Sequence, residues 1–255
     1  RHDARNWCLV NALDAPATVV VGLNGKPKRL LDEALVHRDR VPVLRRFSGG
    51  GTVVVGRGTV VATLIANKAD APCEPFPRSI MRTTGAWYAR VFDDVLVHRE
   101  AANGGGGGGL ELREHDYVVE GGLKVGGNAQ TITRDRWLHH TSFLFDYDDA
   151  SMDYLTLPEN RPEYREDRPH AAFITRLAPR LRSDTLRDRD AAALLADGLA
   201  RVLDDDAFVV EEVDPSEALH VLETARATPT TATGRPWRAT SRPLLEEYPY
   251  EPPST

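Results

Sequence analysis

Cysteine is nearly absent from this chain, with only Cys8 and Cys73 among 255 residues. Two thiols cannot build the disulfide framework of a small secreted scaffold, so an intracellular location is expected, with mitochondrion, plastid and cytoplasm all open. No C-x-x-C or H-x-x-x-H spacing occurs, and the neighbours His139 and His140 would point to opposite faces of a strand, so a zinc site is not supported. A basic excess is missing too: 32 Lys and Arg stand against 38 Asp and Glu, a net charge of −6. That balance argues against a general binder of nucleic acid or of anionic membranes, and any anion must be held by a local site. No apolar run approaches the ~20 residues needed to cross a bilayer. The Gly-Lys-Ser/Thr ending of a phosphate-binding loop, a G-x-G-x-x-G opening a helix, and a G-x-S-x-G elbow around Ser48 are all lacking.

What is present is an ordinary globular composition, 41% hydrophobic and 27% charged, in a chain long enough for a full core. "WCLVN" and "TVVVGL" read as strands, and residues 28–38 carry Leu30, Leu31, Ala34 and Leu35 at helical spacing. Residues 41–67 read as strand, glycine loop, strand, turn and strand. "PFPRSIMRTTGAWYARVF" places Ile80, Met81, Trp87, Tyr88 and Val91 on one helical stripe, which is a core face. The run Gly104–Gly109 is expected to be a flexible loop. The stretch that follows it, up to Asp148, reads as an antiparallel meander. Beyond Pro158 come arginine-rich loops, an amphipathic helix over "RDAAALLADGLARVL", a short strand "FVVEEV", a helix "PSEALHVLETAR" and a proline-rich tail. One α+β domain over residues 1–255 is the simplest organisation.

Four stretches carry possible chemistry. "RRFSGGGTVV" (45–54) joins two arginines to three glycines, a combination that can turn backbone N–H groups and guanidinium forks toward a carboxylate or phosphate. "REHDYVV" (113–119) sets Asp116 at a strand start. "GGLKVGGNAQ" (121–130) isolates Lys124 between glycine pairs, although each interior glycine weakens a strand by roughly 0.5–1 kcal/mol. "RPEYREDRPH" (161–170) concentrates Arg161, Arg165, Arg168 and His170, nearly neutralised by Glu163, Glu166 and Asp167.

In that order, the first three stretches together with "HHTSFLFDYD" resemble the lipoate-protein ligase branch of the biotin/lipoate ligase and transferase family. The resemblance covers about residues 7–180, with 181–255 as an extension. It implies a mixed, largely antiparallel sheet backed by helices, as in biotin ligases and class II aminoacyl-tRNA synthetases. It implies an enzyme that activates lipoate or octanoate with ATP and magnesium to an acyl-adenylate. The acyl group then passes to a lysine of a lipoyl domain, carried by a 2-oxoacid dehydrogenase E2 subunit or the glycine cleavage H protein. Lys124 would be catalytic. Arg46, Ser48, Gly49, Gly50, Gly51, His140 and Thr141 would border the acyl group. Asp116, Gly126, Asn128 and Ala129 would face the nucleotide, with Asp116 also taking magnesium. Arg165, Arg168 and His170 are candidate phosphate or acceptor contacts.

The chain departs from the family pattern at Val54, Val55 and Gly56, where Tyr-His-Asp is usual, at His115 in place of Asn, and at Asn128 in place of Ser. Two alternatives follow. One is an octanoyl or lipoyl transferase working through a cysteine thioester, although no cysteine stands near the lysine stretch. The other is a non-catalytic binder of lipoate or of lipoyl domains.

Overall fold

The computed structural model describes residues 4–97, 109–186, 190–206, 208–227 and 242–243. Its centre is a six-stranded antiparallel sheet, built from β1 (Trp7–Ala12), β5 (Thr59–Asn67), β6 (Glu111–Arg113), β7 (Asp116–Val119), β8 (Leu123–Ile132) and β9 (Arg136–Leu144). The strand order is β1-β5-β9-β8-β7-β6. Alternation fixes which face each strand buries. In β5 it is Val60, Ala62, Leu64 and Ala66, and in β9 it is Trp137, His139, Thr141 and Phe143.

That face is covered by α3 (Pro77–Asp93) and α5 (Ala191–Asp206). The stripe expected for α3 is what packs: Ile80, Trp87, Tyr88 and Val91 are buried against Tyr117 and Phe143, with Leu195 and Leu199 of α5 joining the same core. Each fully buried side chain of this size contributes about 1.5–3 kcal/mol. Pro77 sits in the first turn, where its missing N–H costs nothing.

The other face meets a four-stranded sheet in the order β10-β3-β2-β4, made of β2 (Thr18–Val21), β3 (Val43–Arg45), β4 (Val53–Val55) and β10 (Arg242–Pro243). β2 and β3 are parallel and the remaining pairs antiparallel. A parallel pair requires a crossover. Residues 28–38 supply it, as two short helices instead of the one expected: α1 (Pro27–Leu30) and α2 (Glu33–Arg38), broken where Leu31 bridges to Leu155 and Asp32 caps α2 by accepting from Leu35 N–H. A second core fills the space between the sheets, joining Val19, Val21, Val43 and Val54 to Val118, Met152, Tyr164 and Phe173. The fold is therefore α+β with a mixed, largely antiparallel sheet system.

Two expectations are corrected. "FVVEEV" is irregular chain: it pairs with no strand among the described residues, and Val209 is 98% exposed. The arginine-rich stretch is not an open solvated loop: it folds into a turn over Glu163–Arg165 and the short helix α4 (His170–Phe173), with Tyr164 and Arg165 buried. The Gly104–Gly109 loop lies outside the described residues apart from Gly109, and of the proline-rich tail only Arg242–Pro243, which form β10, are described. α6 (Pro215–Ala227) is the helix expected there. Among the described residues, no helix is long and apolar enough to cross a membrane.

Candidate active site

Between the two sheets lies a cleft that opens to solvent. Gly127, Ser142 and Leu144 form its floor, Thr52 to Val54 one wall, and Met152, Leu155, Phe173 and Ile174 the opposite side. Lys124, Arg165 and His170 stand at its polar part.

A register fault in β8 makes this possible. Val118 pairs with Lys124 but the preceding Tyr117 pairs with Gly126, so Val125 is an extra residue, a β-bulge. The bulge resets the alternation, and Lys124 and Gly127 end up on the cleft side together. A Cβ on Gly127 would stand 3.2 Å from the Lys124 ammonium and 3.9 Å from Asp116 Oδ1. The glycine thus makes room for an ion pair, in which Lys124 Nζ lies 2.7 Å from Asp116 Oδ1. Tyr164 donates its hydroxyl to the other oxygen, Oδ2, at 2.9 Å.

Around this pair the local charge is positive. Phe173 provides an aromatic platform, with the guanidinium carbons of Arg165 and Arg168 at 4.5 and 5.3 Å from its centroid and Lys124 Nζ at 5.9 Å. Arg165 is only 4% exposed; its Nε donates to the Arg168 carbonyl, while Nη2 is buried with no partner among the described residues. Burial lowers its pKa from the ordinary arginine value, with nearby Arg161 and Arg168 acting in the same direction. His170 is held neutral, its pKa pushed down to about 4 by burial and then by the charges of Arg165 and Lys124. A buried cationic donor with an empty valence, in a cleft of net positive charge, suits an anion.

The two arginines of the glycine loop do different work from that expected. Arg46 donates to the carbonyls of Gly49, Gly51 and Val20, and Arg45 to those of Gly22, Leu23 and Gly25. All three guanidinium nitrogens of Arg46 are occupied in holding loops, so it presents no free fork to a ligand, whereas Arg45 makes its loop contacts through Nη1. Gly50 adopts φ +98°, a conformation that a side chain would strain, and it rests above the Asn128 carbonyl and the Ala129 methyl group. Ser48 is buried with Oγ 3.5 Å from His140 Nε2. His140 shares the cleft-side face of β9 with Ser142, and burial followed by Arg46 lowers its pKa to about 4.

Thr141 and Asn128 are corrected as cleft residues. Thr141 donates to Asn128 Oδ1 at 2.7 Å and Asn128 donates to the His115 carbonyl, on the face turned toward α3. His139 joins this network beneath the sheet, with Thr84 and Thr141 hydroxyls each 3.3 Å from Nε2 and burial pushing its pKa to about 3. Alternation along β9 puts Thr141 there, and the bulge carries Asn128 with it.

The structure therefore brings Lys124, Asp116, Arg165 and His170 together at the polar part of the cleft, while Ser48 and His140 meet each other outside the residues that line it, where the glycines of the loop also stand. Arg168 stacks on Phe173 while its Nε and Nη2 bind the Arg165 and Tyr164 carbonyls. Sequence reasoning missed Tyr164, Phe173 and Gly127. The first two were signalled by aromatics interleaved with the arginines, and the third by the second glycine pair.

Comparison with known proteins bears on this arrangement. Residues 1–195 match the model of the lipoyl protein ligase A/B catalytic domain. The chain is 25% identical over 190 residues to a protein of Plasmodium falciparum named inactive lipoate–protein ligase 2, covering 66% of this chain and 49% of that protein. It is 30% identical over 145 residues to probable lipoate-protein ligase A of Mycoplasma pneumoniae, covering 56% of this chain and 38% of that protein. The chain thus spans about half or less of the curated relatives it matches. Among solved structures, the bipartite lipoate protein ligase described with its E2 lipoyl domain from Thermoplasma acidophilum superposes with a TM-score of 0.60 at 16% identity, over 86% of this chain and 79% of that one. A lipoate-protein ligase A bound with ATP gives 0.59 at 14% identity, over 86% and 81%. At these identities the likeness is one of fold.

Proposed function

The chain belongs to the lipoyl protein ligase A/B catalytic-domain family, and from that premise we propose that it joins lipoate or octanoate to a lysine of a lipoyl domain through an acyl-adenylate formed with ATP. The observation that carries the proposal is a single cleft with a cationic part at Lys124 and Arg165 and apolar sides at Val54, Leu144, Met152 and Leu155. A medium-length fatty acid has that same polarity along its length. The relatives' names and the ATP in one fold neighbour support the choice of acid and of nucleotide.

In the first step a carboxylate oxygen attacks the α-phosphorus, the bond to the β-phosphate breaks, and pyrophosphate leaves. The acid is already ionised near neutrality, so no base is needed. What is needed is relief of repulsion between two anions, and Lys124 and Arg165 supply fixed positive charge at the polar part of the cleft. In the second step the neutral amine of an acceptor lysine attacks the carbonyl carbon, AMP leaves, and the amine's proton is released. A magnesium ion, bound with the nucleotide, would add further charge neutralisation. Both oxygens of Asp116 are engaged and, among the described residues, no group of three or more His, Cys, Asp or Glu could hold a metal. These residues therefore do not cage the ion, which would be carried by the phosphates, and Asp116 could meet it only through the oxygen that Lys124 had left.

A second reading, a binder of lipoate or of lipoyl domains without adenylation, is favoured by the mutual neutralisation of Lys124 and Asp116 and by the inactive P. falciparum relative. The thioester transferase finds less support, since neither Cys8 nor Cys73 is among the residues lining the cleft. Pyrophosphate exchange into ATP, run with lipoate, octanoate, biotin or no acid, separates these readings. Exchange that depends on lipoate or octanoate is expected. Absence of exchange with every acid overturns the ligase and leaves the binder or the transferase.

A further inference from the structure

Asp116 carries one partner on each oxygen: the Lys124 ammonium at 2.7 Å and the Tyr164 hydroxyl at 2.9 Å. It is 5% exposed and Tyr164 is 9% exposed, so bulk water does not compete strongly for either bond. Tyr164 is itself held on several sides. Its N–H and that of Glu163 donate to the Glu114 carboxylate at 3.1 and 3.2 Å. The Arg113 guanidinium carbon lies 4.8 Å from its ring centroid, and the Phe173 ring centroid 5.4 Å away. A side chain so fixed delivers its hydroxyl to one point.

The consequence concerns Lys124. An ammonium that is to meet an incoming anion must part from Asp116, and a buried carboxylate left without a counter-charge is costly. A phenol donor that stays on the second oxygen offsets part of that cost, because hydrogen bonds to ionised acceptors are about twice as strong as neutral ones. Burial and the neighbouring Asp116 carboxylate keep this phenol protonated by raising its pKa. It thus remains a donor. We propose that Tyr164 is a positioning residue for the Lys124–Asp116 pair: its hydroxyl steadies Asp116 so that the ammonium can leave for a ligand and return. The use of that freedom in catalysis rests on the ligase reading; the coupling itself does not.

The test exploits a scarcity of lysine. Only Lys26, Lys28, Lys68 and Lys124 occur in the chain, so the rate of reductive methylation at each can be followed by peptide mass spectrometry on the whole protein without nucleotide or acid. Methylation requires a neutral, unpaired amine. In Tyr164→Phe, Asp116 keeps only the lysine and grips it harder, so labelling of Lys124 should slow by about threefold, the change a lost hydrogen bond allows, while the other three lysines label as in wild type. In an Asp116→Asn background the same Tyr164→Phe change should have no further effect, a non-additivity that general loosening of the fold would not produce. Wild-type labelling of Lys124 in Tyr164→Phe, or an equal slowing in the Asp116→Asn background, overturns the proposal. Because no ligand is present, these outcomes are independent of the pyrophosphate exchange result.

Discussion

Lys124 and Gly127 face the same side of β8 although an unbroken strand would turn residues three positions apart to opposite sides, because Val125 is inserted between them as a bulge. The ion pair with Asp116 occupies the space that a side chain at 127 would take. Gly127→Ala should therefore fold normally, since the atom it meets is the flexible end of a lysine, while displacing the ammonium. Acid-dependent exchange should fall on the order of tenfold or more, as expected for misplacing a charge by a fraction of an ångström to one ångström. Steady-state exchange beside a thermal melt checks both halves.

Removing the charge altogether is the more severe change. Lys124→Ala should lower exchange by roughly 10²–10³-fold, the usual cost of losing one preorganised donor. The protein should still fold but melt lower than the parent, because Asp116 loses its counter-charge and Tyr164 offsets only part of that cost. A mutant with near-normal exchange would contradict the assigned role.

Arg165 bears a buried charge with one nitrogen lacking a partner. Replacing such a charge by an apolar side chain of similar volume is often neutral or stabilising. Arg165→Met should accordingly melt at the same temperature or higher without ligand, yet show a KM for ATP raised on the order of tenfold. Loss of stability together with an unchanged KM would mean that the residue serves packing alone.

Arg46 should behave in the opposite sense. Arg46→Ala removes a guanidinium from three carbonyls and should lower stability by about 2 kcal/mol, within the range for charged hydrogen bonds. Denaturant titration would measure it directly.

Acid sensitivity follows from three histidines held neutral. Their folded pKa values lie below the ordinary 6.5, about 4 for His140 and His170 and about 3 for His139. Between those values and 6.5 the unfolded chain binds more protons than the folded one, so stability rises with pH through that window and is lost as pH falls. The unfolding midpoint should drop from pH 6.5 toward pH 4. His139→Gln should flatten that slope in melts recorded across the range.

Much of this architecture could be read from the residues. The α3 stripe, the β5 and β9 alternation and the α5 stripe are periodic over two or more turns or over nine-residue strands, so burial and periodicity agree. The glycine-rich lysine hairpin also pointed to the cleft. Period-two reasoning failed where the backbone breaks its own rule: the Val125 bulge moves Asn128 to the α3 side, and although glycines in a strand signal a bulge, they do not say which residue is inserted. "FVVEEV" has strand composition without a strand's neighbour, which only the assembled sheet could reveal. The segment from Arg161 to His170 looked like a balanced surface loop because its charges cancel in composition. In space Arg161 pairs with Asp167, Glu163, Glu166 and Asp167 are exposed, and Arg165 is buried beside the cleft without an acidic partner from this stretch.

Arg46 has one more effect, which comes from the planarity of the peptide group. The carbonyl of one residue and the N–H of the next lie on opposite edges of the same plane. By drawing the carbonyls of Gly49 and Gly51 toward itself, the guanidinium turns the amides of Gly50 and Thr52 away from it. The aim of those donors is set from inside the protein by a side chain whose own charge is spent on the loop. A substitution at Arg46 would thus imitate the loss of a binding residue in any assay of affinity, although what had been lost was the shape of the loop.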